Sequence, residues 1–314
     1  MQSVEPGHPR LAALVRRACE RARRSAPAVG LVYPCDALAL DAAAAMLREG
    51  IARPLLIGPR EQILRAAEAA AVDASDFEIV DTEVAPAAAA LRATALARAG
   101  VLQALMKGSL HTDELMSAVV DKATGLRGER RISHAFVFDL PRYHKLLALA
   151  DCVVNIAPNL ATKRDILGNA VELLQSLGVA RPKVGIVAAV ETVNPAIAAT
   201  LDAQALVQMA RDSAWPGAVV EGPFGFDNAF SAAAAQTKKI DSLVAGDADL
   251  MLMPDLNAGN MLYKSFNYVG GGDCAGLVLG ARVPIVLTSR ADSLVARVAS
   301  VALAVLVADP HRED

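Results

Sequence analysis

Aromatic residues are scarce in this chain: Phe, Tyr and Trp make up 4% of its 314 residues, and there is a single Trp. Base stacking needs aromatic surface, and a formal net charge of -3 offers no basic field, so a nucleic-acid partner is not expected. The basic run from Arg16 to Arg24 reads as the solvated face of an amphipathic helix, with Leu11, Leu14, Val15 and Ala18 opposite. Cysteine is also sparse. Cys19, Cys35, Cys152 and Cys274 form no C-x-x-C pair, which argues against a zinc site and a disulfide framework and fits a reducing cytoplasm. The five histidines show no H-E-x-x-H spacing, so no metal is expected. Long apolar runs are missing too. Leu294 to Ala308 is too short to cross a bilayer and carries Arg297, while the opening MQSVEPGHPR lacks the apolar core of a signal peptide. The mean hydropathy of +0.35 comes largely from alanine, and a soluble protein without a membrane partner is expected.

What is present is alternation. Short apolar runs alternate with helical stretches, the pattern of an α/β protein with mainly parallel strands. Strands are expected at 29–33, 54–57, 77–80 and 104–106, with helices at 36–49, 60–71, 85–99 and from Thr112. The arginine-rich stretch 125–131 is the best candidate for a boundary. Beyond it, strands are expected at 135–138, 152–156, 184–190, 218–220 and 250–253, and a last strand at 283–288 precedes a helix from about Asp292 to Ala308. The glycines at 270, 271, 272 and 276 follow a helix and not a strand, so they read as a turn and not as a dinucleotide fingerprint. Short connections imply two compact α/β lobes with a cleft between them.

Four segments could carry chemistry. In V-P-I-V-L-T-S-R-A-D-S (283–293) a strand runs into Ser289 and Arg290 just before a helix, where unpaired N–H groups, a hydroxyl and a forked guanidinium suit an anion. The alternative is a serine or aspartate cap beside a surface arginine. In P-D-L-N-A-G-N-M-L-Y-K-S-F (254–266) an apolar strand ends where open α/β sheets place ligands. Asn257, Asn260, Tyr263 and Lys264 follow at helical spacing, either toward a polar anionic ligand or as an exposed helix face. L-M-K-G-S-L-H-T (105–112) again leaves a strand for a helix, with donors from Lys107, Ser109, His111 and Thr112, unless Thr112 only caps. V-E-G-P-F-G-F-D-N-A (220–229) repeats the arrangement.

Taken together and in this order, the four segments resemble the phosphate acetyl/butyryltransferase family over about two thirds of the chain. The resemblance implies the isocitrate and isopropylmalate dehydrogenase architecture, with residues 1–131 and 283–314 in one lobe and 132–282 in the other. It implies a homodimer or larger homo-oligomer, and reversible exchange of an acyl group between coenzyme A and inorganic phosphate to give acyl phosphate. Arg290 then sits on the phosphate and Ser289 beside the reacting carbonyl. Tyr263 and Lys264 resemble the family's substrate-contacting pair, and Thr112 a phosphate donor. Acetyltransferases carry serine where this chain has Lys107, and an aspartate where it has Ala296. Both departures lean toward the butyryl-like branch and leave Asp292 as the candidate base.

No covalent acyl-enzyme is expected, because no cysteine falls in these motifs and no Ser-His-Asp order appears. Coenzyme A enters as a substrate, and no cofactor is expected. A metal-dependent decarboxylating dehydrogenase of the same architecture would need clustered aspartates and a run of arginines, and neither is evident. A catalytically silent protein that binds coenzyme A or acyl phosphate is the alternative from another class.

Overall fold

A computed structural model describes residues 8–287 and 292–308 of the chain. Ser289 and Arg290, both expected at the site, lie outside the described residues. Along the chain run α1 (Pro9–Ser25), β1 (Ala28–Val32), α2 (Ala37–Glu49), β2 (Arg53–Gly58), α3 (Arg60–Ala70), β3 (Glu78–Asp81), α4 (Pro86–Arg98), β4 (Ala104–Lys107) and α5 (Thr112–Val119). Then come β5 (Ser133–Asp139), β6 (Leu147–Ala150), α6 (Leu160–Ser176), β7 (Lys183–Val187), α7 (Ala198–Arg211), β8 (Val219–Phe224), α8 (Phe226–Phe230) and α9 (Ala232–Thr237). β9 (Leu250–Leu252), α10 (Leu256–Tyr268), β10 (Asp273–Leu279), β11 (Ile285–Val286) and α11 (Leu294–Val307) complete the order. The fold is α/β in two compact units, one of residues 11–130 with 275–308, the other of 8–10 with 131–274. No helix among the described residues is long and apolar enough to cross a membrane.

In the first unit the strands stand in the order β3-β2-β1-β4-β11-β10, parallel except for the β10–β11 pair. Alanine does most of the helix packing. Ala39, Ala42, Ala43 and Ala45 of α2 and Ala89, Ala90, Ala93 and Ala97 of α4 are all buried, so small side chains bring these helices close to their neighbours. Asp36 caps α2 by accepting from the Ala39 N–H at 2.8 Å, and Gly50 ends that helix, as the sequence implies.

The second unit orders its strands β5-β6-β9-β7-β8, with only the β5–β6 pair antiparallel. Its core is aromatic: six of the seven Phe residues lie between 131 and 274. Phe138 meets the Phe266 ring edge-on at 5.2 Å, within a cluster that includes Tyr143, Phe224 and Met251.

Three sequence expectations give way. The strand expected at 152–156 lies instead at Leu147–Ala150, because the Asp151 carboxylate accepts the Val153, Val154 and Asn155 N–H groups and folds that stretch into a turn. Gly276 is not in a turn. It lies inside β10, and its N–H donates to Ser300 Oγ of α11 at 3.0 Å. Among the described residues the last strand is only Ile285–Val286, while α11 starts at Leu294, two residues past the expected start near Asp292. Its cap is Ser293, whose Oγ accepts the Ala296 N–H at 3.0 Å.

The second unit also holds a charge cluster ahead of β9. Asp247 accepts from Lys145 at 2.9 Å, from His144 Nε2 at 2.7 Å and from the Lys183 ammonium. Burial opposes ionisation of this carboxyl, but the hydrogen bonds from Lys183, Lys145 and His144 win and hold it well below the usual carboxylate range. A lowered folded-state pKa stabilises the fold above the carboxyl's ordinary value, and that contribution is lost as pH falls through the folded value. Asp247→Asn should therefore lower the urea midpoint at neutral pH, with a gap from wild type that narrows below about pH 4. Urea titrations across pH check this, and a gap that stays constant would remove the ionised carboxylate from the account.

Candidate active site

Strand order places the candidate residues of the first unit. From β1 the chain steps outward through β2 to β3, then returns to lay β4 on the other side of β1. In open α/β sheets such a reversal leaves a crevice at the carboxyl ends of the two central strands. The register pairs Val32 with Lys107 and Val286 with Met106, so β1, β4 and β11 all release their chains at this edge. Lys107 through Thr112 therefore emerge beside Tyr33 through Asp36.

The two loops are knitted together. Gly108 N–H donates to Val32 O at 2.9 Å, and Ser109 donates to Tyr33 O through both its N–H (2.9 Å) and its hydroxyl (2.8 Å). A Cβ on Gly108 would stand 2.5 Å from Tyr33 O and 2.6 Å from Val32 O, so only glycine fits. Tyr33 itself sits at φ 55°, a left-handed conformation that costs a non-glycine residue energy and that the shared hydrogen bonds maintain. The Lys107 ammonium donates to Gly108 O at 3.2 Å and Leu110 O at 3.1 Å, bracing its own loop. Thr112 is the exposed first residue of α5. His111 holds the cap position, where its N–H donates to Glu114 Oε2 at 2.8 Å, so the Thr112 hydroxyl is not committed to capping.

Asp292 precedes α11, and its carbonyl accepts from Arg297 Nε at 3.3 Å. Ala296 is buried in the first turn of that helix. Burial first, then the neighbouring Asp36, push the Cys35 thiol up to about 11. A surface hollow of about 700 Å³ in the same unit, lined in part by Asp41, Arg48, Phe77 and Leu294, shares no residue with these loops.

The remaining candidate residues are on α10, in the second unit. Asp255 caps this helix by accepting from the Ala258 N–H at 3.0 Å. Asn260, Tyr263 and Lys264 follow within the helix, so the structure brings these three together as the spacing implies. Asn260 Nδ2 donates to Cys152 O at 3.2 Å. Tyr263 stacks on Phe136 with ring centroids 4.6 Å apart, and the exposed Lys264 ammonium stands 6.0 Å from the Tyr263 ring centre. Burial pushes the Cys152 thiol well up, so it too stays protonated. Among the described residues, no group of three His, Cys, Asp or Glu side chains could hold a metal ion.

A family model whose description reads phosphate acetyl/butaryl transferase matches residues 87–305, a span that contains every candidate residue. The chain belongs to this family. A phosphate acetyltransferase of Rhizobium meliloti is 49% identical over 93% of this chain and 92% of its own. A phosphate butyryltransferase of Clostridium acetobutylicum is 38% identical over 89% of this chain and 93% of its own. Among solved structures, a branched-chain phosphotransacylase from Enterococcus faecalis V583 superposes with a TM-score of 0.80 at 29% identity, covering 91% of this chain and all of that one. A 4-hydroxythreonine-4-phosphate dehydrogenase from Burkholderia phymatum, 15% identical, shares the fold at a TM-score of 0.54, over 90% of this chain and 98% of its own.

Sequence reasoning on this family member missed Tyr33, Phe136 and Asp151 as neighbours of the candidate residues. Only Asp151 left a trace, as an acid that follows an apolar run and precedes Asn155 by four residues. Gly108→Ala should cost about 1–3 kcal/mol in urea unfolding, because the new methyl meets fixed carbonyls that cannot yield. Wild-type stability in that variant would show that the two loops can separate without cost.

Proposed function

We propose that the protein catalyses reversible transfer of a short acyl group between coenzyme A and inorganic phosphate, by direct attack within a ternary complex. The observation that carries this reading is 49% identity to a phosphate acetyltransferase along nearly the whole of both chains. The site loops support it: donors gather where a crevice is expected, around a glycine that lets the two loops pack backbone to backbone. Protonated Cys35 and Cys152 favour direct transfer over an acyl-enzyme. The acyl carbon of a thioester is already electrophilic, so the main task is alignment of sulfur, carbonyl and phosphate oxygen.

In this reading Arg290 grips the phosphate with its fork, and Ser289 donates to the carbonyl oxygen as negative charge develops there. Asp292 takes the proton of the coenzyme A thiol when the reaction runs toward acyl-CoA. Thr112 donates to phosphate, while Asn260, Tyr263 and Lys264 bind substrate. Lys107 acts through the loop it braces. No resident cofactor is required, and we propose a cytoplasmic homodimer or larger homo-oligomer, as the family resemblance suggests.

Acetyl is the acyl group that the identities favour, at 49% against 38% for the butyryltransferase. Lys107 and Ala296 pointed the other way, toward butyryl. The loop-bracing contacts of Lys107 and the burial of Ala296 support reading both as scaffold and not as determinants of acyl length.

Coenzyme A release from acyl-CoA should depend on added phosphate, and no release would reject the proposal. Acetyl-CoA should give the higher kcat/KM. A pocket that buries two more methylenes would instead favour butyryl-CoA by roughly tenfold, at about 0.8 kcal/mol per methylene. Arg290→Lys keeps the charge but loses the fork, and should reduce turnover by more than roughly tenfold with the melting temperature unchanged. Ser289→Ala should lower kcat by roughly a hundredfold with little change in KM. Full turnover in either variant would reassign that residue.

A further inference from the structure

We propose that Phe136 and the turn organised by Asp151 are positioning elements of the site, fixing where α10 presents Asn260 and Tyr263. The proposal rests on the acyl-transfer reading, and neither element belongs to the motifs that resemble the family.

Alternation along β5 puts His134, Phe136 and Phe138 on one face of the strand. Their rings touch in a row, with centroids 4.4 Å apart for His134 and Phe136 and 5.8 Å for Phe136 and Phe138. Two rings of α10 rest on this row: Tyr263 stacks on Phe136 at 4.6 Å and 29°, and Phe266 meets Phe138 edge-on at 5.2 Å. Tyr263 and Phe266 are three residues apart and share a helix face, so the row grips the later turns of α10 at two successive points.

Asp151 secures the earlier turns. Its buried carboxylate accepts the N–H groups of His134, Val153, Val154 and Asn155 and the Asn155 side-chain amide, at 2.6–3.2 Å. That network sets the path of the turn at Asp151 and Cys152, on which the helix lies in backbone contact. A Cβ on Gly259 would stand 2.5 Å from Asp151 O and 3.1 Å from Cys152 Cα. The next residue, Asn260, donates to Cys152 O at 3.2 Å. Helical residues advance by about 100° each, so α10 cannot turn by one position without losing the glycine contact, the amide bond and both ring contacts.

One face of the Tyr263 ring thus serves as an anchor on Phe136, and the hydroxyl is the group whose position that anchor sets. Its placement depends on the ring beneath it. Phe136→Leu keeps apolar bulk but removes that ring, whereas Phe136→Tyr keeps it.

The test is a double-mutant cycle on the full-length protein, with kcat/KM for acetyl-CoA and phosphate as readout. Phe136→Leu should lower kcat/KM by roughly tenfold in the wild-type background, but by only about twofold once Tyr263→Phe has removed the hydroxyl. Phe136→Tyr should retain most of the activity. Equal losses in both backgrounds would overturn the proposal. Hydrogen exchange of residues 256–268 supplies a readout independent of turnover: Phe136→Leu should speed exchange there while the melting temperature holds. If the wild-type protein shows no phosphate-dependent turnover, the acyl-transfer reading fails. Exchange then decides the positioning claim alone, and unchanged exchange overturns it.

Discussion

Parallel pairing obliges neighbouring strands to release their chains at the same edge, and the candidate site follows from that constraint. In the first unit the register of β1, β4 and β11 delivers Tyr33, Lys107 and Leu287 to one border. Chain leaving a strand there has carbonyls and amides that the ladder no longer satisfies, and they need partners. Here each loop satisfies the other. The Tyr33 carbonyl accepts from the Cys35 N–H and from both donors of Ser109, and the Lys107 ammonium closes the second loop on itself. An edge wired in this way is preorganised, so a ligand that arrives does not have to order it.

The second unit reaches the same end by other means. Its strands β6 and β9 are parallel neighbours, and of the acids that follow them Asp151 gathers several N–H groups while Asp255 accepts that of Ala258. One organises a turn and the other caps a helix. The Gly259 contact and the ring row of β5 then lock turn and helix together. The several bonds to Asp151 order a stretch with little regular secondary structure.

How much of this was legible in the sequence depended on how local the cause was. Caps and breakers act within a few residues, so the helix from Asp36 to Gly50 and the strand running into Lys107-Gly108 could be read directly. The strand misplaced to 152–156 failed because hydrophobicity persists through Cys152, Val153 and Val154, while the carboxylate of Asp151 takes the amides of Val153, Val154 and Asn155. β10 was hidden because glycine suggests a turn, and nothing local reveals that the Gly276 amide faces Ser300. The family motif pointed to Asn260, Tyr263 and Lys264. It could not point to Phe136, whose role depends on a partner more than a hundred residues away. The match between Tyr33 and Ser109 is of the same kind, since it arises from strand order and not from spacing.

The unequal distribution of aromatic side chains has an optical consequence. The one tryptophan, Trp215, is buried in the second unit, which by sequence also holds six of the seven phenylalanines, and the first unit holds only Tyr33 and Phe77. Emission excited at the red edge of the indole band therefore reports on residues 131–274 and is blind to the alanine-packed half. Far-ultraviolet dichroism registers the helices of both. A denaturation curve followed by the two signals on one sample thus carries an intrinsic label for which half of the chain is coming apart, with no dye attached.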